Sequence, residues 1–467
     1  MKHIQRKTER RIAAALRLAL VAVLLLLQIA LVIALTQVLR QKMYIGYSVL
    51  EIIAVLCVVR IYMRAGSSTY KPGWIVLIML VPVVGLILYF LWNGNQVKKK
   101  LDLKPIPMPP ETEEVKRRSQ SAQENLSARW PRWGRLAAYL RRQDMPLFEN
   151  TDMTYFPTGE EYLEDLLERM KTARRFIFLE YYIASEGEIW DRICTVLTER
   201  AAAGVEVNLI LDDFGSMMTM PPEEISALRK RGVWVQMFNP VHRYVNRLYF
   251  NYRDHRKIAV IDGDIAYTGG ANLADEYANL IVRFGYWKDC GIRLEGEGAW
   301  GLTRQFMYLW LRMGGELRES WDSYRPRTAP EGGEFCQPLV DGPDNNPVNT
   351  AEDTFQQLIS NANRYIWITT PYLAIDETIT SALCTAARQR WQARLREGVT
   401  VEDCGQAFVC AAAFSAAADF LTGEGGSAAA SSFSAGEISV STSSAADRSA
   451  CAQALRDTAE ELMAPYA

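Results

Sequence analysis

The sequence predicts an α/β protein preceded by transmembrane helices, with a second α/β unit left incomplete. Three observations carry this. Long apolar runs crowd residues 1–100. From Glu160 onward, helical and strand patterns alternate. That order begins again near Gln337 and stops before it has been repeated.

The first run, "LRLALVAVLLLLQIALVIALTQVL", is long enough for a spanning helix, which needs about 20 apolar residues. It is too long, and too poor in a small-residue cleavage site, for a signal peptide. The second, "YSVLEIIAVLCVVRIYM", is marginal because of Glu51. The third, "GWIVLIMLVPVVGLILYFLW", reads as another span closed by Tyr89 and Trp92. Lys2, Arg6, Lys7, Arg10 and Arg11 put the N-terminus on the cytoplasmic side, and Lys98, Lys99 and Lys100 do the same for the end of the third run. Three full spans cannot satisfy both. Either one early run does not span, or the remainder of the chain faces outward.

Residues 101–140 read as a linker and interfacial segment. "LKPIPMPPETEEVKRRSQSAQENLSARW" is polar and proline-rich, as a domain boundary is. "RWPRWGRLAAYLRR" is basic and tryptophan-rich. It suits either an anionic lipid surface or an ordinary packed helix.

A first domain is expected over 141–335. "EEYLEDLLERMKTARR" spaces Leu163, Leu166, Leu167 and Met170 for a helix, and "FIFLEYYI" is a short apolar strand. "EIWDRICTVLTERAAAG" and "VEVNLILDD" repeat the pair. Helix and strand in turn imply a sheet covered by helices. Residues 336–389 start a second unit: "TAEDTFQQLISNANR", "YIWITTPYL" and "DETITSALCTAARQ" echo the first.

Composition narrows the chemistry. The 467 residues carry a formal charge of −2, so no global basic field points to nucleic acid. Eight cysteines form no CxxC pair and only three histidines are present, so a zinc site is not expected. No cofactor is expected either.

One of those histidines stands in "NYRDHRKIAVIDGDIAYTGGANLADEY". In extended chain, residues two apart face the same way, so His255 and Lys257 project together. A neutral imidazole is a nucleophile or base near pH 7, and a lysine beside it attracts phosphate. Gly269 and Gly270 let the backbone approach a ligand, and Asn272 offers an amide to an anionic oxygen. The set suits attack on a phosphodiester, whose nonbridging oxygens gather charge. On the HxK pair alone, a core histidine satisfied by Asp262 or Asp254 is the favoured reading.

The full spacing is HxKx4Dx6GGxN, formed by His255, Lys257, Asp262, Gly269, Gly270 and Asn272. It resembles the HKD motif of the phospholipase D superfamily. "FLEYYI", "LDDFGS", "FNP", "YTGGANLADEY" and "GYWKDCGIRLEG" extend the resemblance to the bacterial cardiolipin synthase branch, over residues 44–389. The resemblance implies a phospholipase D-like α/β sandwich and a multi-pass protein of the bacterial cell membrane. It implies two similar halves, each giving one motif to a shared site. One histidine attacks phosphorus and forms a phosphohistidine; the other protonates the leaving alcohol and activates the incoming one. The donor is phosphatidylglycerol or another phosphatidyl lipid, glycerol is released, and no metal is needed. Carried onto this chain, His255 is nucleophile or general acid, and Lys257 and Asn272 hold the phosphate. Asp262 supports the motif, and Glu180 orients the histidine. Asp212 and Asp213 read as turn-formers.

The resemblance then stops. His255 is the last histidine and Lys288 the last lysine, so no second HxK exists. Over residues 390–467 the family pattern is gone, "EGVTV" aside as a stand-in for the next strand; 24 of the 50 residues from Val401 to Ala450 are Ala or Ser, a low-complexity composition. An out-of-frame translation is the favoured explanation. A replacement domain, and a homodimer that pairs two copies of His255, are the others. The expectation is a cardiolipin synthase ancestry with impaired turnover in one chain. A phospholipase D-type hydrolase and a non-catalytic membrane protein with a phosphate-binding half-site are the rival readings.

Overall fold

The computed structural model describes chiefly residues 43–63, 71–92, 103–240, 253–342, 349–362, 377–422 and 432–466, a few positions within these excepted. The chain divides into two compact units, Met1–Val97 and Lys98–Ala467.

In the first unit three helices are described: α1 (Met43–Met63), α2 (Lys71–Leu80) and α3 (Pro82–Trp92). They bury Ala54, Cys57, Ile61, Ile78, Leu86 and Tyr89 together. The expected transmembrane helices are corrected here: among the described residues, no helix is long and apolar enough to cross a membrane. The third run is interrupted at Val81, ahead of Pro82, into helices of 10 and 11 residues. Each is about 15–17 Å long against a hydrocarbon core of about 30 Å. The second run carries Glu51 and Arg60 within its helix. The first run lies outside the described residues.

Among the described residues, the second unit is built on an eight-stranded mixed sheet. Its strands are β1 (Phe148–Phe156), β2 (Phe176–Tyr181), β3 (Glu206–Asp212), β4 (Trp234–Phe238), β5 (Ile258–Ile261), β6 (Ile265–Gly269), β7 (Gly291–Gly296) and β8 (Glu334–Cys336). The order is β4-β3-β2-β5-β6-β7-β1-β8. β2, β3 and β4 run parallel and the other pairings are antiparallel.

Strand alternation sorts the core into two layers. Ile177, Leu179, Leu209, Ala259 and Ile261 join one apolar cluster. That cluster includes Leu163, Leu166 and Leu167 of α6 (Gly159–Lys171) and Ile189, Trp190 and Ile193 of α7 (Glu188–Ala202). Phe176, Phe178, Ile210, Ile258 and Val260 face the other way. They meet Trp300, Phe306 and Trp310 of α10 (Ala299–Arg312). With both faces covered, β2 and β3 are buried throughout.

The segment read as a linker is packed onto this body. Leu103 and Val115 lie against the α10 layer. Buried Glu111 accepts from Trp300 Nε1 at 2.8 Å and pairs with Arg304 and Arg325 at 3.1 Å each. Helices α4 (Glu113–Arg129) and α5 (Pro131–Arg142) join through Ala122, Leu126 and Ala137.

Beyond β8, α11 (Thr350–Asn361) and α12 (Glu377–Gln392) occupy the expected second-unit helices. The strand expected at "YIWITTPYL" lies largely outside the described residues. "EGVTV" forms a turn that leads into α13 (Val401–Thr422), not a strand. The Ala-rich tail gives α13 and α14 (Ala445–Met463), with a two-stranded hairpin, β9 (Ser432–Ala435) and β10 (Ile438–Ser441), between them. Trp391, Cys404, Phe408, Ala411, Ala459 and Met463 are buried together there.

Candidate active site

The sheet register places the motif. Glu180 near the end of β2 pairs with Ile258 at the start of β5, and Ile258 pairs with Thr268 near the end of β6. His255 and Lys257 just before β5, and Asn272 just after β6, therefore meet at one edge. That edge also receives the C-terminal ends of the parallel strands β2, β3 and β4, where open α/β sheets gather their ligands.

His255 presents an exposed imidazole. Its ring lies 4.7 Å from the ring of Tyr182, centroid to centroid. Lys257 is buried, with Nζ 3.2 Å from His255 Nδ1 and donating to His255 O at 2.6 Å. Desolvation by the surrounding protein lowers the His255 pKa, and the Lys257 charge lowers it further, against Asp254. The imidazole is thus held neutral and nucleophilic near pH 7. Burial also pushes Lys257 down to about 8, opposed by Asp254 and Asp289. It keeps its charge at neutral pH and holds it in a poorly solvated place, where it is most attractive to a phosphate.

The remaining residues divide. Asn272 is buried, and its Oδ1 accepts from Ile183 N at 3.0 Å. That bond fixes the amide by its oxygen, so its nitrogen is the end turned to donate elsewhere. At Gly269 a Cβ would stand 2.6 Å from Cys290 O. At Gly270 one would collide with Asp289 Oδ1. The glycine pair therefore lets β6 run close to the chain entering β7. Asp262 lies at the opposite end of β5 from His255. Its carboxylate accepts from the backbone N–H groups of Arg174, Arg175 and Phe176 at 2.9, 2.7 and 3.0 Å. Glu180 reaches Arg256, not the imidazole: Oε1 lies 2.7 Å from Arg256 Nε. Asp212 caps α8 (Asp213–Ser216) through Gly215 N at 3.0 Å, and it also accepts from Asp254 N at 2.8 Å.

Sequence reasoning passes over three neighbours. Tyr182 packs its ring against one side of the imidazole. Asp289 faces Lys257, accepts from Trp287 Nε1 at 3.1 Å, and has its pKa raised by burial. Arg256 turns inward between His255 and Lys257. Asp289 stands within "GYWKDC", yet only the β6–β7 pairing brings it to the lysine.

The chain is similar to several known proteins. Residues 166–281 match the family described as cardiolipin synthase, PLD-like domain, and residues 52–93 match the phospholipase D-nuclease N-terminal family. A cardiolipin synthase of Halalkalibacterium halodurans is 31% identical over 349 residues, 73% of this chain and 68% of that one. A probable cardiolipin synthase of Bacillus subtilis is 29% identical over 70% of this chain and 65% of its own length. An uncharacterized protein of Streptococcus mutans is 35% identical over 68% of each chain. Among solved structures, phosphatidylserine synthase of Haemophilus influenzae aligns over 58% of this chain and 64% of its own. The TM-score is 0.38 and the identity 14%.

Proposed function

Because this chain belongs to the bacterial cardiolipin synthase family of the phospholipase D superfamily, we propose that it moves a phosphatidyl group between lipids with His255 as the nucleophile. It is a transferase of the cardiolipin synthase type. The observation that supports the assignment of His255 is its pairing with a buried lysine. Lys257 Nζ touches Nδ1 at 3.2 Å, at an edge that also carries the fixed amide of Asn272.

The chemistry follows from that arrangement. A phosphate entering the site draws Lys257 Nζ away from Nδ1 and onto a nonbridging oxygen, with the Asn272 amide on another. The imidazole then attacks phosphorus. An N–P bond forms, the P–O bond to the leaving glycerol breaks, and the glycerol oxygen takes its proton from a second imidazole, the His255 of another copy, which recovers one from the incoming hydroxyl. A hydroxyl of a second phosphatidylglycerol attacks the same phosphorus, loses its proton and expels the imidazole. Cardiolipin and glycerol are the products. Water as acceptor would give phosphatidic acid, the hydrolase alternative.

His255 is the nucleophile or the general acid, and one chain offers a single HxK imidazole to fill both roles. The reading therefore includes impaired turnover by an isolated chain, relieved where a homodimer brings two copies of His255 together. A lipid substrate places the work at a membrane surface, and we take membrane association as part of the proposal.

Lipid analysis of phosphatidylglycerol vesicles incubated with the purified chain is the test. Cardiolipin formation that disappears in His255→Ala supports the reading. Phosphatidic acid alone supports the hydrolase. No change between the wild type and His255→Ala supports the non-catalytic half-site.

A further inference from the structure

The His255 segment has little of its own to hold it. Residues 253–257 precede β5 and form no part of the sheet ladder. An exposed nucleophile on such a segment would sample many orientations, and attack on phosphorus tolerates few. Something must anchor it from below.

Side-chain parity identifies the anchor. Counting back from β5, Lys257 and His255 share the face of Ala259 and Ile261, whereas Arg256 and Asp254 share the face of Ile258 and Val260. Glu180 follows Phe176 and Phe178 on that same second face. The structure gathers these groups there. Glu180 is fully buried, Asp254 is 3% exposed, and the Arg256 side chain is 19% exposed. Arg256 Nε lies 2.7 Å from Glu180 Oε1 and 3.0 Å from Asp254 Oδ1, and the Arg256 backbone N–H donates to Asp254 Oδ1 at 3.2 Å. Asp212, also fully buried, takes the Asp254 backbone N–H at 2.8 Å and pairs with Arg253 Nη1 at 3.3 Å.

The charge balance of Glu180, Asp254 and Arg256 is uneven: two buried carboxyl groups face one guanidinium. Lys257 also acts on Asp254, whereas Arg256 is the cation that acts on Glu180, so an ionised Glu180 would have to share that guanidinium at full burial. Both acids close on the same nitrogen, Glu180 Oε1 at 2.7 Å and Asp254 Oδ1 at 3.0 Å from Arg256 Nε. Both Glu180 oxygens and Asp254 Oδ2 are buried without a well-aligned donor among the described residues. A proton on Glu180 supplies the missing donor between the acids and removes the charge that burial penalises. Burial drives Glu180 the same way, holding its carboxyl far above the usual range despite Arg256.

We propose that Glu180 and Asp254 hold one proton between them and that this acid pair, clasping Arg256, is the positioning device that presents His255 and Lys257 to substrate. Glu180 acts on the imidazole through Arg256 and touches no reacting atom. The inference rests on His255 being the working nucleophile, but its test reads the imidazole directly and needs no turnover.

The experiment compares the full-length wild type with Glu180→Gln and Glu180→Ala. The amide introduced by Glu180→Gln keeps an N–H for Asp254 and an oxygen for Arg256, so it mimics the protonated acid. The wild type at neutral pH should show the infrared carbonyl band of an un-ionised carboxylic acid, and Glu180→Gln should lose it. The chain has three histidines, so the His255 imidazole resonance can be identified by its loss in His255→Ala. Its titration curve should superimpose for the wild type and Glu180→Gln and be displaced in Glu180→Ala. Absence of the acid band, or a curve displaced by Glu180→Gln as far as by Glu180→Ala, overturns the shared proton. A curve that neither variant moves overturns the positioning role. Should Glu180→Ala fail to fold, the band and the Glu180→Gln curve still decide between proton sharing and an ionised Glu180.

Discussion

Replacing Asp262 with Ala separates the part of the motif that folds the chain from the part that does chemistry. Its carboxylate takes three backbone N–H groups, from Arg174, Arg175 and Phe176. Its backbone sits at φ 56°, the left-handed region. Hydrogen bonds to a charged group are worth about 1.5–3 kcal/mol each, but water can reach part of this turn, so their loss costs roughly 3–4 kcal/mol. Alanine in the left-handed region adds about 1 kcal/mol. A total near 4–5 kcal/mol, at about 2–4 °C per kcal/mol, lowers the melting temperature of the α/β unit by roughly 10–15 °C. Asp262→Asn keeps one acceptor and tolerates the backbone, so its loss should be less than half as large. His255→Ala, at an exposed position, should shift stability by no more than about 0.5 kcal/mol. Thermal unfolding followed by circular dichroism, with lipid turnover measured on the same preparations, provides the comparison. An Asp262→Ala protein that melts with the wild type yet loses turnover as His255→Ala does would refute the structural role.

Three further outcomes are expected. Turnover should rise through an acid limb below the ordinary imidazole value of about 6.5, as His255 becomes neutral, and fall as Lys257 loses its charge near pH 8; a rate still climbing above that pH would contradict the lysine's part. Gly270→Ala drives a methyl into Asp289, so it should destabilise by about 1–3 kcal/mol and reduce turnover together, read by urea unfolding and lipid assay. Burial raises the Asp212 pKa from 3.8 to about 6, so the folded state binds that proton more tightly than the unfolded chain. Its stabilising effect is complete below the unfolded value and lost as pH rises through about 6, amounting to about 3 kcal/mol. Urea unfolding at acid and neutral pH should show this slope flattened in Asp212→Asn.

The sequence makes some of this visible and hides the rest for physical reasons. "FIFLEY" and "IAVI" are continuous apolar runs, and strands buried on both faces must read that way. The alternation that sets His255 and Lys257 on one face is a property of extended chain, so it too can be read locally. Arg256, Tyr182 and Asp289 cannot, because their roles depend on which strands pair. The family resemblance assigns Glu180 to the imidazole, but its strand position turns it to the opposite face, toward Arg256. Prolines mark residues 101–140 as a linker, whereas Glu111 finds Trp300 almost two hundred residues away. Pro82 divides the third apolar run into two short helices, which a count of apolar residues does not register. In the tail, alanine content reads as low complexity, yet Ala411 and Ala459 are fully buried where α13 and α14 pack.

The most direct measurement is capture of the covalent intermediate. Enzyme mixed with phosphatidylglycerol is quenched in alkali, in which an N-linked phosphoryl group survives, and the peptide mass of the His255 segment is determined. A phosphatidyl adduct on His255, or the glycerophosphoryl adduct left once alkali removes its acyl esters, absent from His255→Ala, is the predicted result. Cardiolipin formed at the wild-type rate by His255→Ala, or an adduct on some other residue, would contradict the account.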